Sequence, residues 1–278
     1  MRNINYPLIF SDFDGTLLRS DDTLSATTKE TITNYVKDGG GFVLSSGRMT
    51  PSILQRARQL SLSGLLASYN GAEIVDIGTG KRIFQGCLPK EDALEICRVL
   101  ERLGLHFHVY DGDDFYSNTA GKLLTIYETV CQVKGKLVTD FPLSQFIRQQ
   151  DMQVVKIAAL TSPETREEVY AVLEREFGDK YLVLRSAKYL IELCDKRYSK
   201  GTALRFIAEK YGVPLEKTIA VGDNQNDLSM LQTAGKGFAV ANAEESLRGE
   251  VEFFPLTNDE NAVEEIIKKY GYSEENNG

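Results

Sequence analysis

Two short stretches hold most of the side chains that could do chemistry. Ser11-Asp12-Phe13-Asp14-Gly15-Thr16 follows the apolar run Leu8-Ile9-Phe10, and Gly222-Asp223-Asn224-Gln225-Asn226-Asp227 follows Thr218-Ile219-Ala220-Val221. In a strand, residues i and i+2 share a face, so Asp12 and Asp14 are expected to project the same way. A helical turn would bring Asp223 and Asp227 to one side. If the two stretches meet, their four carboxylates and the ammonium of Lys200 leave three net negative charges. Such a cluster is untenable without a divalent cation. A donor set made only of oxygens favours Mg2+ over zinc or copper. The first stretch is not an EF-hand, because it lacks the next Asp and the Glu that closes that loop.

Two further segments lie near these in the reading. Lys200 and Gly201, in Ser199-Lys200-Gly201-Thr202, are both locally unfavourable in the first turn of a helix. Violations of a local rule tend to mark functional sites. Ser45-Ser46-Gly47-Arg48 offers a hydroxyl and backbone N–H groups to an anion. Taken alone, it reads better as a plain loop before a helix.

The elements that must position these residues alternate. Strands fit at Leu8–Phe10, Gly41–Ser45, Leu65–Ser68, Tyr189–Leu193, Thr218–Val221 and Gly237–Val240. Helices fit at Ala26–Lys37, Thr50–Leu60, Ser199–Lys210, Leu228–Leu231 and Glu260–Lys269. This grammar at both ends predicts one parallel α/β sheet built from two separated segments. In open sheets of that kind, ligands bind beyond the carboxyl ends of the strands, where both acidic stretches fall. The middle has its own helices and strands, enough for a small inserted α/β domain. The expected division is 1–81, then 82–188 as the insert, then 189–278, with Ser273–Gly278 a disordered tail. Lys81–Arg82 and Ala187–Lys188 are hinge candidates.

Composition narrows the class. The chain has 278 residues, 42% hydrophobic and 26% charged, ordinary for a globular protein of about two domains. A net charge of −8 with no dense basic run argues against nucleic acid and anionic membranes as partners. No apolar stretch is long enough to span a bilayer or to act as a signal-peptide core, which predicts a cytoplasmic protein. Cys87, Cys97, Cys131 and Cys194 form no CxxC pair and read as reduced packing residues. His106 and His108 alternate on one strand face and read as a packed or exposed strand pair in preference to a metal site. Walker, GxGxxG and GxSxG strings are absent.

Taken in order, these segments resemble the haloacid dehalogenase superfamily. Asp12-Phe13-Asp14-Gly15-Thr16 is similar to its first motif, Ser46 to the hydroxyl of the second, Lys200 to the third, and Gly222-Asp223 through Asn226-Asp227 to the fourth. The long insert between the second and third motifs resembles the type II cap of the Cof-like hydrolases. Tyr69-Asn70-Gly71-Ala72 and Ala241-Asn242-Ala243 are also similar to strings in that group. Ser46 stands where Thr is frequent, and Cys194–Tyr198 lacks a Pro-x-Gly stretch often found before the lysine.

The resemblance implies a Rossmann-like core with a parallel central sheet and an inserted α/β cap. It implies Mg2+-dependent hydrolysis of small phosphate monoesters, sugar phosphates or similar metabolites, through an aspartyl phosphate. Asp12 would be the nucleophile and Asp14 the general acid and base. The metal would involve Asp12, Asp14 through its backbone carbonyl, Asp223 and Asp227, the last through water. Ser46, Gly47, Lys200 and Asn226 would hold the phosphate, and Arg48 and Asn70 would meet the substrate. A phosphotransferase or mutase, or a non-catalytic sensor of phosphorylated metabolites, would keep the same fold. The sequence specifies no oligomeric state.

Overall fold

The apolar run Leu8-Ile9-Phe10 becomes β1 (Leu8–Ser11), and the chain then alternates through α1 (Ala26–Lys37), β2 (Gly41–Ser45), α2 (Thr50–Gln59), β3 (Leu65–Ser68), β4 (Glu73–Asp76) and β5 (Arg82–Gln85). Next come α3 (Lys90–Arg102), β6 (His106–Asp111), β7 (Asp114–Ser117), α4 (Lys122–Cys131), β8 (Lys136–Leu137) and α5 (Leu143–Gln150). These are followed by β9 (Val154–Leu160), α6 (Arg166–Phe177), β10 (Tyr181–Ala187) and β11 (Leu190–Asp195). The chain closes with α7 (Lys200–Tyr211), β12 (Thr218–Gly222), α8 (Leu228–Thr233), β13 (Lys236–Ala239), β14 (Glu252–Phe253) and α9 (Ala262–Ile266). This computed structural model describes residues 2–187 and 189–273. Lys188 and residues 274–278, which include one hinge candidate and most of the expected tail, lie outside the described residues.

Two compact units result. One comprises residues 1–48, 53–84 and 198–278, and the other 49–52 and 85–197. In the first, the described strands form a sheet in the order β14-β13-β12-β1-β2-β3-β4-β5. β1 runs parallel to both β12 and β2. Its two faces are both covered, which is why it reads as an unbroken apolar run. Ile9 packs with Ile32 of α1 and Ile266 of α9, whereas Leu8 and Phe10 pack with Leu204 and Ile207 of α7. The register pairs Ser11 with Val221 on one side and Leu44 on the other. Asp12, the Gly222–Asp223 turn and Ser45–Ser46 therefore leave the sheet at one end.

The second unit has a sheet in the order β10-β11-β9-β6-β7-β8. Phe107, Ile157 and Leu193 face an apolar layer built with Leu94 and Leu100 of α3, Ile147 of α5 and Leu173 of α6. The opposite face mixes aromatic rings, Tyr110, Phe115 and Tyr127, with polar groups. Lys156 and Glu192 form a buried pair there at 2.6 Å, and the ring nitrogens of His106 and His108 meet at 3.2 Å.

The second segment boundary differs from the sequence expectation. Residues from Tyr189 to Leu193 read as a strand of the main sheet, but β11 lies between β10 and β9 in the second sheet. It pairs antiparallel with both, Leu190 against Leu160 and Tyr181 against Asp195. A buried apolar run announces a strand without saying which sheet it joins. The return to the first unit comes at 197/198, and the outward crossing at 84/85. The β4 and β5 strands, β8 and α5 also lie outside the sequence reading, being short or weakly periodic.

α7 is the helix that carries Lys200, and Leu204 is its fully buried anchor. Leu204→Ala should destabilise the protein by about 2–5 kcal/mol, seen as a lower thermal midpoint. An unchanged midpoint would show that α7 is not held by this packing.

Candidate active site

Asp12 extends the parallel ladder by one residue, its N–H donating to the Val221 carbonyl at 2.9 Å. It follows Leu8 and Phe10 at strand spacing, so its carboxylate points to the α7 side of the sheet. The chain then turns through Phe13–Leu17, where Asp14 and Gly15 leave helical geometry. Gly15 has φ of 76°, and a Cβ there would lie 2.6 Å from Asp223 Oδ2. Only glycine satisfies both constraints. β1 itself ends at Ser11, so strand spacing stops before Asp14. Its carboxylate does not join that of Asp12, contrary to the expectation from i, i+2 alternation, and the three-carboxylate cluster consists of Asp12, Asp223 and Asp227. Asp14 is instead gripped by Arg48, Nε to Oδ2 and Nη2 to Oδ1, both at 2.7 Å.

Lys200 lies at the centre of the cluster. Its Nζ donates to Asp12 Oδ1 and to Asp227 Oδ1, each at 2.5 Å. The helix start explains how it arrives there. Ser199 caps α7, its Oγ accepting the Thr202 N–H at 3.1 Å while Thr202 Oγ1 accepts the Ser199 N–H at 2.8 Å. Lys200 is then the first helical residue, and it is buried. Gly201 has a packing reason: a Cβ there would overlap the Ser229 carbonyl at the start of α8.

Asp227 spends both oxygens inside the protein. Oδ1 takes the Lys200 ammonium, and Oδ2 accepts the backbone N–H groups of Asp223 and Asn224, each at 3.0 Å. Asp223 accepts from Thr16 Oγ1 at 2.6 Å through Oδ1. One oxygen from each of Asp12, Asp223 and Asp227 lies within 4.8 Å of the others. Burial is the main reason the Asp12 carboxyl is pushed well above the usual range, and the nearby Asp227 and Asp223 add to the shift against the pull of Lys200. Burial likewise raises Asp223 to about 6, with Asp227 adding and the Thr16 hydroxyl opposing. Burial alone would lower Lys200, but the carboxylates of Asp12 and Asp227 outweigh it and hold the ammonium above its ordinary value. Three crowded carboxylates against one ammonium, all oxygen donors, fit a hard divalent cation.

The remaining predicted residues gather at the same end of the sheet. Ser46 Oγ accepts the Arg48 N–H at 3.1 Å, leaving its own proton to donate. Asn226 Nδ2 donates to Asn70 Oδ1 at 2.9 Å, and Asn226 Oδ1 is buried without a hydrogen-bond partner among the described residues. A Cβ on Gly47 would fall 2.9 Å from Asn70 Oδ1. Two contributors had no role in the sequence reading. Thr16 orients Asp223, and Asn242 Nδ2 holds the Gly15 carbonyl at 2.8 Å. Each stood inside a quoted string, but nothing local indicates a partner more than two hundred positions away.

Known proteins share this arrangement of chain. A sequence model of haloacid dehalogenase-like hydrolases matches residues 9–267. Phosphatase YwpJ of Bacillus subtilis is 29% identical, over 94% of this chain and 98% of its own. The 5-amino-6-(5-phospho-D-ribitylamino)uracil phosphatase YitU of the same organism is 29% identical, over 95% and 97%. A haloacid dehalogenase-like hydrolase from Bacteroides thetaiotaomicron superposes with a TM-score of 0.82 at 29% identity, covering 95% of this chain and 99% of that one.

The raised Asp223 has a consequence for stability. The folded protein keeps that proton up to about pH 6, whereas the unfolded chain releases it near 3.8. The cluster's contribution to stability is therefore present at low pH and is lost as pH rises through about 6. A divalent cation replaces the proton. In EDTA-stripped protein, added Mg2+ should raise the thermal midpoint at about pH 7.5 and by clearly less at about pH 5. Equal shifts at the two pH values would contradict this.

Proposed function

Because the chain belongs to the haloacid dehalogenase-like hydrolases and is a phosphoric monoester hydrolase, we propose that it hydrolyses small phosphate monoesters with Mg2+ through an aspartyl phosphate. The observation that carries this reading is Lys200, buried and bonded to both Asp12 and Asp227, with Asp223 beside them. A bound Mg2+, held by Asp12, Asp223 and the Asp14 backbone carbonyl, would supply positive charge to the phosphoryl oxygens. Asp227 then holds Lys200 and the Asp223–Asn224 backbone in place, since both of its oxygens are taken.

Asp12 attacks phosphorus, and the bond to the leaving alcohol breaks. Lys200 fixes the plane of that carboxylate and gives charge to the transferring group. Ser46 donates its hydroxyl proton to a second oxygen, with the Gly47 backbone and Asn226 beside it. Asp14 protonates the leaving alcohol and later takes a proton from the water that splits the acyl phosphate. Its two oxygens are both bonded to Arg48. While that pair is closed, the carboxylate is held toward the guanidinium. An incoming phosphate, a dianion or close to one, gives the guanidinium another partner and frees Asp14. Substrate binding and arming of the acid are thereby linked.

The substrate class proposed is a small phosphorylated metabolite, a sugar phosphate or a related polyol phosphate. The name of YitU, which specifies a phosphorylated ribityl compound, supports that class. Among the described residues no helix is long and apolar enough to cross a membrane.

Purified protein should hydrolyse para-nitrophenyl phosphate with Mg2+ and stop in EDTA. Asp12→Asn should lower turnover by about 10⁴-fold or more with the fold intact by circular dichroism; undiminished hydrolysis would remove Asp12 as nucleophile. Asp14→Ala should slow esters of poor leaving groups, such as alkyl phosphates, far more than para-nitrophenyl phosphate. Equal losses across leaving groups would contradict the acid role.

A further inference from the structure

Three consecutive residues after β3 have left-handed backbone. The φ angles are 50° at Tyr69, 54° at Asn70 and 92° at Gly71. Outside glycine this region costs free energy, most for a bulky residue such as Tyr. Together the residues of the turn touch three catalytic segments. The Tyr69 N–H donates to the Arg48 carbonyl and the Asn70 N–H to the Ser46 carbonyl, both at 3.0 Å. The Asn70 side chain accepts from Asn226 at 2.9 Å. Gly71 lies so close to Ser199 that a Cβ would overlap its carbonyl, and Ser199 is the cap that places Lys200. One strained turn thus registers the Ser46–Arg48 loop, the start of α7 and the Asn226 loop against one another.

Backbone conformation alone would be met more cheaply by glycine at position 70. Asparagine tolerates it and adds an amide. That amide is buried, with Oδ1 given to Asn226. Asn226 in turn has one end fixed, a second Nδ2 proton to donate, and a buried Oδ1 with no hydrogen-bond partner among the described residues. We propose that Asn70 is a positioning residue: it acts through Asn226, fixing that amide for the transferring phosphoryl group, and does not itself read the leaving group. This rests on the phosphatase reading above.

The test compares the full-length wild type, Asn70→Gly, Asn226→Ala and the double variant on para-nitrophenyl phosphate with Mg2+. Glycine keeps the backbone free to adopt the turn, so the thermal midpoint should hold within a few degrees. Asn70→Gly should lower kcat by about 10- to 100-fold, with KM changed less than about threefold. The double variant should be no slower than Asn226→Ala alone. Asn70→Asp retains the acceptor for Asn226. It should keep kcat within about threefold of wild type while its charge raises KM, and it serves equally if the glycine variant is unstable. A wild-type kcat in Asn70→Gly, losses that multiply in the double variant, or a kcat in Asn70→Asp as low as in Asn70→Gly would each overturn the proposal. The Asn226 side-chain amide protons provide a readout without turnover: their exchange should quicken at least about tenfold in Asn70→Gly. An inactive wild type in which that difference persists would place the failure in the phosphatase reading, not in the Asn70–Asn226 bond.

Discussion

A single buried ammonium governs the geometry of this protein's functional end. Lys200 bonds two carboxylates from opposite ends of the chain's first unit, Asp12 after β1 and Asp227 after β12. Buried charges are tolerated only when paired and fully hydrogen-bonded. Removing the lysine would leave two carboxylates facing each other and a third, Asp223, close by. The rest of the site can be understood as support for this arrangement. The capping box at Ser199 sets where α7 starts, Gly201 lets that helix approach α8, and Asp227 ties the lysine to the backbone of its own loop.

The sheet makes the meeting possible. β1 has β12 and β2 as parallel neighbours, so three strand ends open side by side although their sequences lie far apart. Apolar runs of three residues made these strands legible, because a strand covered on both faces has little choice of residue. Legibility ended where chain direction and local geometry took over. β11 has the same apolar character but joins the other sheet. Asp14 lies two residues after Asp12, yet the strand has already stopped, and alternation no longer predicts where its carboxylate goes.

Residue types were read more reliably than partners. The carboxylates could be singled out by their density in glycine-rich turns, Lys200 by its unfavourable place in the first turn of a helix, and Ser46 and Asn226 through the family resemblance. Thr16 and Asn242 could not. Each makes one hydrogen bond whose other end lies more than two hundred positions away, to Asp223 and to Gly15. Gly201 shows the converse. A glycine in the first turn of a helix suggests function locally, but its reason is the Ser229 carbonyl beside it. A local rule can be broken by chemistry or by close packing, and only the tertiary neighbour distinguishes the two.

The two aspartates of the first motif sit in different environments, which suit the two chemical tasks proposed for them. Asp12 has a side chain 9% exposed, held by an ammonium, with carboxylates around it; Asp14 has one 43% exposed, held by a guanidinium. A nucleophile benefits from a fixed plane and a dry environment, where an opposing cation stabilises developing charge most strongly. An acid that must also act as a base needs access to water and a partner that can leave. Arg48 has that property, because it comes from a loop and because phosphate competes for the same bidentate fork. The strand ends at Ser11, ahead of both aspartates, and Gly15, with positive φ and no Cβ beside Asp223, lets the chain turn on past that loop. A side chain there would collide with the Asp223 carboxylate and displace it from its place beside Asp12 and Asp227.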